Sequence, residues 1–327
     1  MSKAQDVYFP NLVSAAFSVF SDYLQAAPDE KILVVYDKST TDIADAFKQA
    51  AIEADLKLDL RRIEPTGENG SDPDPKTTAL LKKYDIVIAP TQFSLTHSAA
   101  VTSARKSGAR VITMPGITAE LFERSLLVDP MELKSSGSLW MKLLAGKHSV
   151  EIRSAAGTKI SFQIGARPPH NDDGFIVRSG MVGNLPAGEV FLAPDDGSAN
   201  GIIVFDGSIG NEEWNPELEP AILEIKDGSF CAAKSPRAEQ LFKSLDACGP
   251  KGRVLAEFGI GTNSALHMSG NLLEDEKVRG TVHFAFGNNC GFGGDNDVPV
   301  HIDGIVIAPD LFLDGTQLMR KGNWTAR

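Results

Sequence analysis

Short apolar runs alternate with helix-spaced apolar positions through the first half of the chain. Residues 32–36 are continuously apolar, as in a strand buried on both faces, whereas residues 12–24 and 41–54 repeat apolar side chains at helical spacing. The alternation continues through segments at 58–63, 76–83, 86–89, 98–106 and 110–114. Strands that alternate with helices form parallel sheets covered by helices. The pattern therefore predicts a doubly wound α/β domain over residues 1–147.

From residue 148 onward the pattern changes to short β-like segments separated by glycines. Strands are predicted at 150–153, 159–164, 201–205 and 221–225, with a helix at 236–247. Strands clustered around one helix are typical of an α+β domain. We therefore expect a second domain of this class over residues 148–327.

Composition and charge exclude several classes of function. The 327 residues suit two domains of ordinary size, and 42% hydrophobic with 23% charged residues is typical of a globular protein. A net charge of -11, without a stripe of Lys and Arg, argues against a nucleic-acid partner. No apolar run approaches the roughly 20 residues of a bilayer span, and the N-terminus lacks the apolar core of a signal peptide. We therefore expect a cytoplasmic protein that contacts no membrane.

Polar residues with metal-ligand chemistry interrupt apolar runs in the second domain. His301 and Asp303 are separated by one residue, so in a strand their side chains point to the same face. His283 lies in another strand-like run between two glycines, and Glu257 lies in a third. Two histidines and a carboxylate can bind zinc in hydrolases or iron in oxygenases. The sequence therefore predicts a metal site but leaves the metal open.

The acidic run Glu274, Asp275 and Glu276 predicts a solvated turn or helix start just before this metal site. Glu276 could act as a catalytic base if it reaches the metal. We therefore keep Glu276 as a candidate catalytic residue.

Four sequence blocks resemble the thermophilic metallo-aminopeptidase family of the aminopeptidase T and aminopeptidase S type. In order, the blocks read GNLPAGEVFLAP, AEFGIGTN, EDEKVRGTVHFAFG and VPVHIDGIV. The resemblance covers most of the chain and implies an N-terminal α/β domain before a C-terminal metal domain. It also implies a homodimer and two divalent cations, which we expect to be zinc, cobalt or manganese.

Matching the blocks residue by residue implies which side chains bind the metals. The implied metal ligands are Glu189, Glu257, His283, His301 and Asp303. Glu257 joins Glu276 as a candidate catalytic residue.

One position departs from the family pattern. Seven residues after His283, where the family has a Tyr close to the metals, this chain has Cys290. A thiol is shorter and softer than a phenol and can itself bind a metal. Cys290 is therefore a further candidate ligand.

These residues predict a metal-dependent aminopeptidase that removes N-terminal residues from small peptides through a metal-activated water. The alternative is a ring-cleaving dioxygenase, because the same broad family has relatives that resemble dihydroxypyridine dioxygenases with a single iron(II). His283, His301 and Asp303 fit the two-histidine, one-carboxylate face of such an enzyme acting on a small aromatic molecule. Glu189 and Glu257 favour the hydrolase, since a single iron would leave them with surplus negative charge. A binding protein without catalysis is disfavoured by the cluster of ligand residues.

Overall fold

The computed structural model describes residues 11–125, 128–210, 212 and 214–325. Within that part of the chain, the α-helices are α1 (Leu12–Ser18), α2 (Thr41–Glu53), α3 (Pro75–Leu81), α4 (Ala99–Lys106), α5 (Ala119–Ser125), α6 (Pro130–Leu144), α7 (Pro236–Asp246) and α8 (Leu272–Asp275). The strands up to residue 205 are β1 (Lys31–Tyr36), β2 (Lys57–Arg62), β3 (Ile86–Thr91), β4 (Arg110–Pro115), β5 (Ser149–Arg153), β6 (Lys159–Gln163), β7 (His170–Asp172), β8 (Val182–Asn184), β9 (Glu189–Leu192) and β10 (Asn200–Phe205). The later strands are β11 (Ala221–Lys226), β12 (Ser229–Ala233), β13 (Leu255–Gly261), β14 (Thr281–Gly287), β15 (His301–Ile307), β16 (Asp310–Leu313), β17 (Thr316–Arg320) and β18 (Asn323–Trp324).

These elements form two compact units. The first contains the described residues up to Pro130 together with Gly174–Ala187, and the second contains Met131–Asp173 together with the described residues from Gly188 onward. The boundary after Pro130 assigns almost all of α6 to the second unit, whereas the sequence-based division after residue 147 assigns that helix to the first domain. The division into domains at residues 1–147 and 148–327 stays a prediction.

The first unit is built on a parallel sheet, as predicted. Its strands lie in the order β2-β1-β3-β4-β8. The central strands are apolar and buried along almost their whole length, which is typical of strands covered on both faces. Leu33 and Val35 of β1 pack with Ala100 and Val101 of α4. The sequence-based prediction missed α5, α6 and β8. Helix α5 and strand β8 are short, whereas α6 has 15 residues and buries side chains at helical spacing.

The second unit contains two antiparallel sheets. The larger sheet has the order β12-β11-β10-β6-β5-β16-β17-β18, and the smaller has the order β15-β14-β13-β9-β7. The four strands and the helix predicted from the sequence between 150 and 247 are present within a residue or two of the expected bounds. The mixture of a parallel sheet with antiparallel sheets confirms a mixed α/β fold.

The smaller sheet has one apolar face and one polar face because its strands alternate in character. Phe258 of β13 and Phe284 of β14 point into the core, where each ring meets Phe162 of β6 at centroid distances of 5.1 and 6.0 Å. On each strand, the residues immediately before and after these phenylalanines point to the opposite face of the sheet. We call that second side the polar face, and it carries the metal-ligand residues.

In the part of the chain that the structure describes, no helix is long and apolar enough to cross a membrane. The expected cytoplasmic location stays a prediction.

Helix α3 begins at a carboxylate cap whose removal has a measurable cost. Asp74 accepts hydrogen bonds from the backbone N–H groups of Lys76 at 3.0 Å and Thr77 at 3.1 Å. We expect Asp74→Ala to lower the free energy of unfolding by about 1 kcal/mol, the usual cost of losing an N-cap. Urea denaturation checks this value. Glu64→Ala, at an exposed loop position of the same unit, is the control and should change stability by less than about 0.5 kcal/mol.

The stabilisation by Asp74 also depends on pH with a defined sign. A hydrogen bond from the Thr77 hydroxyl, together with other contacts that include Arg61, lowers the pKa of Asp74 to about 2. A lowered folded pKa stabilises the protein above the unfolded value of about 4, and the effect is lost as the pH falls through about 2. Equal stability losses for Asp74→Ala and Glu64→Ala at pH 7 would contradict the capping role.

Candidate metal centre

Four neighbouring strands place the five predicted ligands on the polar face of the smaller sheet. His301 and Asp303 are two residues apart on β15, so both side chains leave the strand on the same side. The register pairs Asp303 with Ala285 and pairs Ala285 with Glu257, and it pairs His283 with Gly259. Cross-strand partners share a face. Glu189 joins from β9, opposite Gly261.

The donor atoms of these ligands form two groups that share Glu257. Nε2 of His283 lies 3.1 Å from Oε2 of Glu189 and 3.4 Å from Oε1 of Glu257. Nε2 of His301 lies 3.3 Å from Oε2 of Glu257 and 3.6 Å from Oδ2 of Asp303. Within each group the donor atoms all lie within 4.8 Å of one another. The two carboxylate oxygens of Glu257 therefore face one imidazole each.

Small residues in the middle of the polar face leave room for these side chains. A Cβ atom on Gly259 would overlap the imidazole of His283. Ala285, between the two carboxylate residues Glu257 and Asp303 in the register, has only a methyl group. Larger side chains at these two positions would fill the space between the donors.

The hydrogen bonds of His301 leave its inward nitrogen suited to a cation. Its Nδ1 lies 2.7 Å from the carbonyl oxygen of Asn288, and a carbonyl only accepts, so Nδ1 carries the proton. In the neutral ring, Nε2 then presents its lone pair to Glu257 and Asp303. Backbone carbonyls commonly orient metal-binding histidines in this way. The donor set of imidazole nitrogens and carboxylate oxygens fits a divalent cation such as iron, zinc or manganese.

The charges at the site suit a divalent cation. Burial alone would raise the pKa of Glu189 and of Glu257. Lys277 and His283 outweigh burial at Glu189, and the two imidazoles outweigh it at Glu257, so both pKa values are lowered. Conversely, burial would lower the pKa of His283 and of His301, yet the neighbouring carboxylates raise both well above their ordinary range. Protons on the imidazoles would satisfy the carboxylates, and a divalent cation between the same atoms would displace those protons.

Lys277 is a site residue that sequence reasoning missed. Its side chain is fully buried, and its Nζ lies 3.4 Å from Oε1 of Glu189 and in close contact with Oε1 of Glu276. The sequence does not indicate a buried ammonium here, because a Lys that follows three acidic residues is typical of a charged surface segment. Only the folded structure shows that Lys277 forms an ion pair with Glu189 of β9.

The acidic run before β14 is buried rather than solvated, so that expectation was wrong. Asp275 accepts hydrogen bonds from the backbone of Ser269 and Gly270, and Glu274 accepts one from the backbone of His267. These carboxylates are buried because they satisfy backbone N–H groups of the preceding loop. Glu276 contacts Lys277, and burial raises the pKa of Glu276 to about 8. Its catalytic role, like that of Glu257, stays a prediction.

Cys290 lies outside both donor groups in this structure. It is exposed, at the start of the turn Cys290–Phe292, and its backbone N–H donates to Oδ1 of Asn288 at 3.0 Å. Its predicted role as a metal ligand is not tested by this geometry and stays a prediction.

Comparison with known families favours one of the two chemistries that the ligands allow. The family model described as NicX, 2,5-dihydroxypyridine 5,6-dioxygenase, matches residues 24–326. The chain belongs to this dioxygenase family. The family's model spans the first unit as well as the polar face, so the match does not rest on the ligand strands alone.

One curated protein and two solved structures are similar to this chain. A 2,5-dihydroxypyridine 5,6-dioxygenase of Pseudomonas putida KT2440 is 26% identical over 196 residues, and this aligned part spans about half the length of either protein, 56% of each. The solved structure of 2,5-dihydroxypyridine dioxygenase from Pseudomonas putida KT2440 has a TM-score of 0.81 at 20% identity and covers 97% of both chains. Wild-type AmpT from Thermus thermophilus has a TM-score of 0.71 at 15% identity over 97% of this chain and 99% of its own.

The aminopeptidase prediction is therefore wrong. The family model and the Pseudomonas putida relative are both described as 2,5-dihydroxypyridine 5,6-dioxygenase. The aminopeptidase resemblance is supported only by the fold that this chain shares with AmpT. The four blocks that suggested an aminopeptidase contain β9, β13, β14 and β15, which build the sheet and carry the ligands. They report the architecture of the site rather than its reaction.

Gly259 provides the first test of the site. We expect Gly259→Ala to push the imidazole of His283 away from Glu257 and to lower iron(II) affinity at least tenfold, because a 1 Å displacement spoils ligand geometry. Anaerobic iron(II) titration followed by calorimetry measures the affinity. Gly291→Ala is the control, since a Cβ there meets nothing within 4 Å. Equal affinities for the two variants would contradict the packing of His283 on Gly259.

Lys277 provides a second test, based on stability. We expect Lys277→Met to lower the free energy of unfolding by about 3 kcal/mol, because it leaves the buried carboxylate of Glu189 without its ammonium. Denaturant unfolding of the metal-free protein measures the loss. Lys226→Met, at an exposed position of β11, should change stability by less than about 0.5 kcal/mol. A loss at Lys277 no larger than this control would contradict the charge pairing.

Proposed function

We propose that this protein is an iron(II)-dependent dioxygenase that opens the ring of 2,5-dihydroxypyridine, or a close analogue, between carbons 5 and 6. The observation that carries the proposal is the match of the dioxygenase family model to residues 24–326. The Pseudomonas putida relative of that name, aligned over about half its length, supports the same substrate class. Both atoms of dioxygen would enter the product as the ring bond breaks.

The proposed ligands are two imidazoles and a carboxylate. His301 and Asp303 belong to one donor group and His283 to the other, with Glu257 in both. One ion that took nitrogen donors from His283 and His301 and an oxygen from Asp303 would have the facial set of many non-haem iron oxygenases. Glu257 lies between the two imidazoles, with one oxygen toward each. Iron(II) bound here would supply the redox chemistry by which dioxygen reacts with an electron-rich ring.

Charge balance supports one divalent cation rather than the two that the aminopeptidase resemblance implied. At neutral pH the site holds one ammonium, Lys277, and the carboxyl groups of Glu189, Glu257 and Asp303. Glu276 is largely protonated there because its pKa is raised to about 8. With neutral imidazoles the carboxylates outnumber the ammonium, and one dication offsets this excess of negative charge. Lys277 thus removes the surplus negative charge that would otherwise argue against a single iron.

The chain's own residues have separate tasks in this proposal. The Asn288 carbonyl fixes the ring of His301, so that its Nε2 stays directed into the site. Lys277 keeps Glu189 ionised and oriented. Glu189 can then accept a proton from a hydroxyl group of the bound ring, a role that suits a buried, ionised carboxylate. The expected homodimer stays a proposal beside this mechanism.

Oxygen uptake tests the proposal directly. We expect the iron(II)-loaded protein to consume about one O2 per 2,5-dihydroxypyridine, and we expect His301→Ala to lose more than 100-fold in rate because it removes a ligand. An oxygen electrode, with iron content measured on the same samples, gives both values. His148→Ala, which removes an exposed histidine of the same unit, should keep the wild-type rate.

Two results would overturn the proposed function. Iron-loaded protein that binds the ring but takes up no oxygen would exclude the dioxygenase reaction. Full activity in His301→Ala would show that the metal lies elsewhere.

A further inference from the structure

Three aromatic rings stand beside the ligands on the second unit, and we call His170, Phe191 and Phe292 the aromatic wall. The ring of His170 is stacked on that of Phe191, with centroids 5.4 Å apart and an interplanar angle of 23°. Phe292 meets Phe191 edge-on at 5.5 Å and 84°. It also meets the ring of His301 edge-on at 6.0 Å and 86°. The wall therefore begins at a proposed metal ligand.

The sheet register directs the wall toward the site. Phe191 is two residues after Glu189 on β9, so the ring and the carboxylate leave the strand on the same face. Phe191, Gly259 and His283 are consecutive cross-strand partners. Because Gly259 has no side chain, the imidazole of His283 lies over its backbone. Phe191 is half-buried rather than sealed in the core, which leaves part of its ring accessible.

The turn that carries Phe292 is held in place. Nε of Arg167 donates to the carbonyl oxygen of Gly293 at 2.9 Å. The buried side chain of Asn289 accepts from the backbone of Asn296 at 2.9 Å, and the backbone of Gly294 donates to the carbonyl of Asn289 at 3.0 Å. These bonds fix both ends of the turn. The backbone that carries Phe292 is therefore held, and its ring contacts those of Phe191 and His301.

His170 adds a polar atom to this apolar surface. Its Nε2 is shielded from water and has no hydrogen-bond partner among the residues that the structure describes. A buried polar atom without a partner costs free energy, and such atoms often mark ligand contacts.

We infer that the aromatic wall is the platform on which the substrate ring stacks, with Nε2 of His170 bonding a polar atom of a hydroxylated nitrogen heteroaromatic. The inference rests on the proposed function for the identity of the ring. Face-to-edge and offset stacking of aromatic rings stabilises a complex beyond the effect of the area buried. The wall supplies that interaction, and the His170 nitrogen distinguishes a polar ring from a plain hydrocarbon.

Binding under anaerobic conditions tests the platform without requiring turnover. Calorimetric titration of 2,5-dihydroxypyridine into the iron(II)-loaded protein gives the Kd. We expect Phe191→Leu and Phe292→Leu each to weaken binding about three- to tenfold, and we expect the tyrosine variants at both positions to keep most of the affinity because the ring remains. Phe312→Leu, at a half-buried ring elsewhere in the unit, should bind like the wild type.

His170→Phe separates the polar contact from the stacking. It keeps an aromatic ring of similar size and removes Nε2, so we expect about tenfold weaker binding, the loss of one hydrogen bond. Iron content and the thermal midpoint of each variant show whether the site and the fold are intact.

The outcomes distinguish this inference from the proposed function. Wild-type affinity in both leucine variants, at full iron content, would overturn the platform even if oxygen uptake proceeds. Ring-dependent binding without oxygen uptake would support the platform and overturn the dioxygenase proposal. Absence of any binding to the wild type would overturn the platform as well.

Discussion

Three carboxylates, Glu189, Glu257 and Asp303, lie together on one face of a sheet, where water has little access. Such a cluster is stable only if positive charge lies among the carboxylates, because an isolated buried carboxylate loses far more hydration than it regains. Two imidazoles and the ammonium of Lys277 are the positive or proton-accepting groups that the fold brings to them. The immediate surroundings of the site follow from this requirement. Small residues open space, and a backbone carbonyl orients a histidine.

The elements that the sequence predicts best are those with strong local signals. The strand of alternating His301 and Asp303, the apolar run of β1 and the helix α2 each show a clear period, so their types and approximate bounds follow from the sequence. Helix α5 and strand β8 have only a few residues and no period of their own. Their existence depends on packing partners that are distant in the sequence.

The site divides in the same way. Its histidines and carboxylates stand out because polar residues in apolar strands need a reason. Lys277 and Gly259 do not stand out, because a lysine in an acidic run and a glycine in a strand have ordinary local explanations. Their roles depend on cross-strand neighbours, which only the register reveals.

The contrast between AmpT and the dioxygenase shows why ligand residues identify a site more readily than a reaction. Both solved structures have the overall fold of this chain. A face of imidazoles and carboxylates can support hydrolysis or oxygen chemistry, and the choice depends on how many cations the surrounding charges admit and on what packs beside them. Here Lys277 reduces the negative charge, and an aromatic wall stands next to His301. Both features agree with one iron and an aromatic ring.

Anomalous diffraction at the iron absorption edge, on crystals loaded with iron(II) without oxygen, measures the central claim most directly. The account predicts one peak per chain, within coordination distance of Nε2 of both His283 and His301. Two peaks on this face, or a single peak away from these imidazoles, would contradict it.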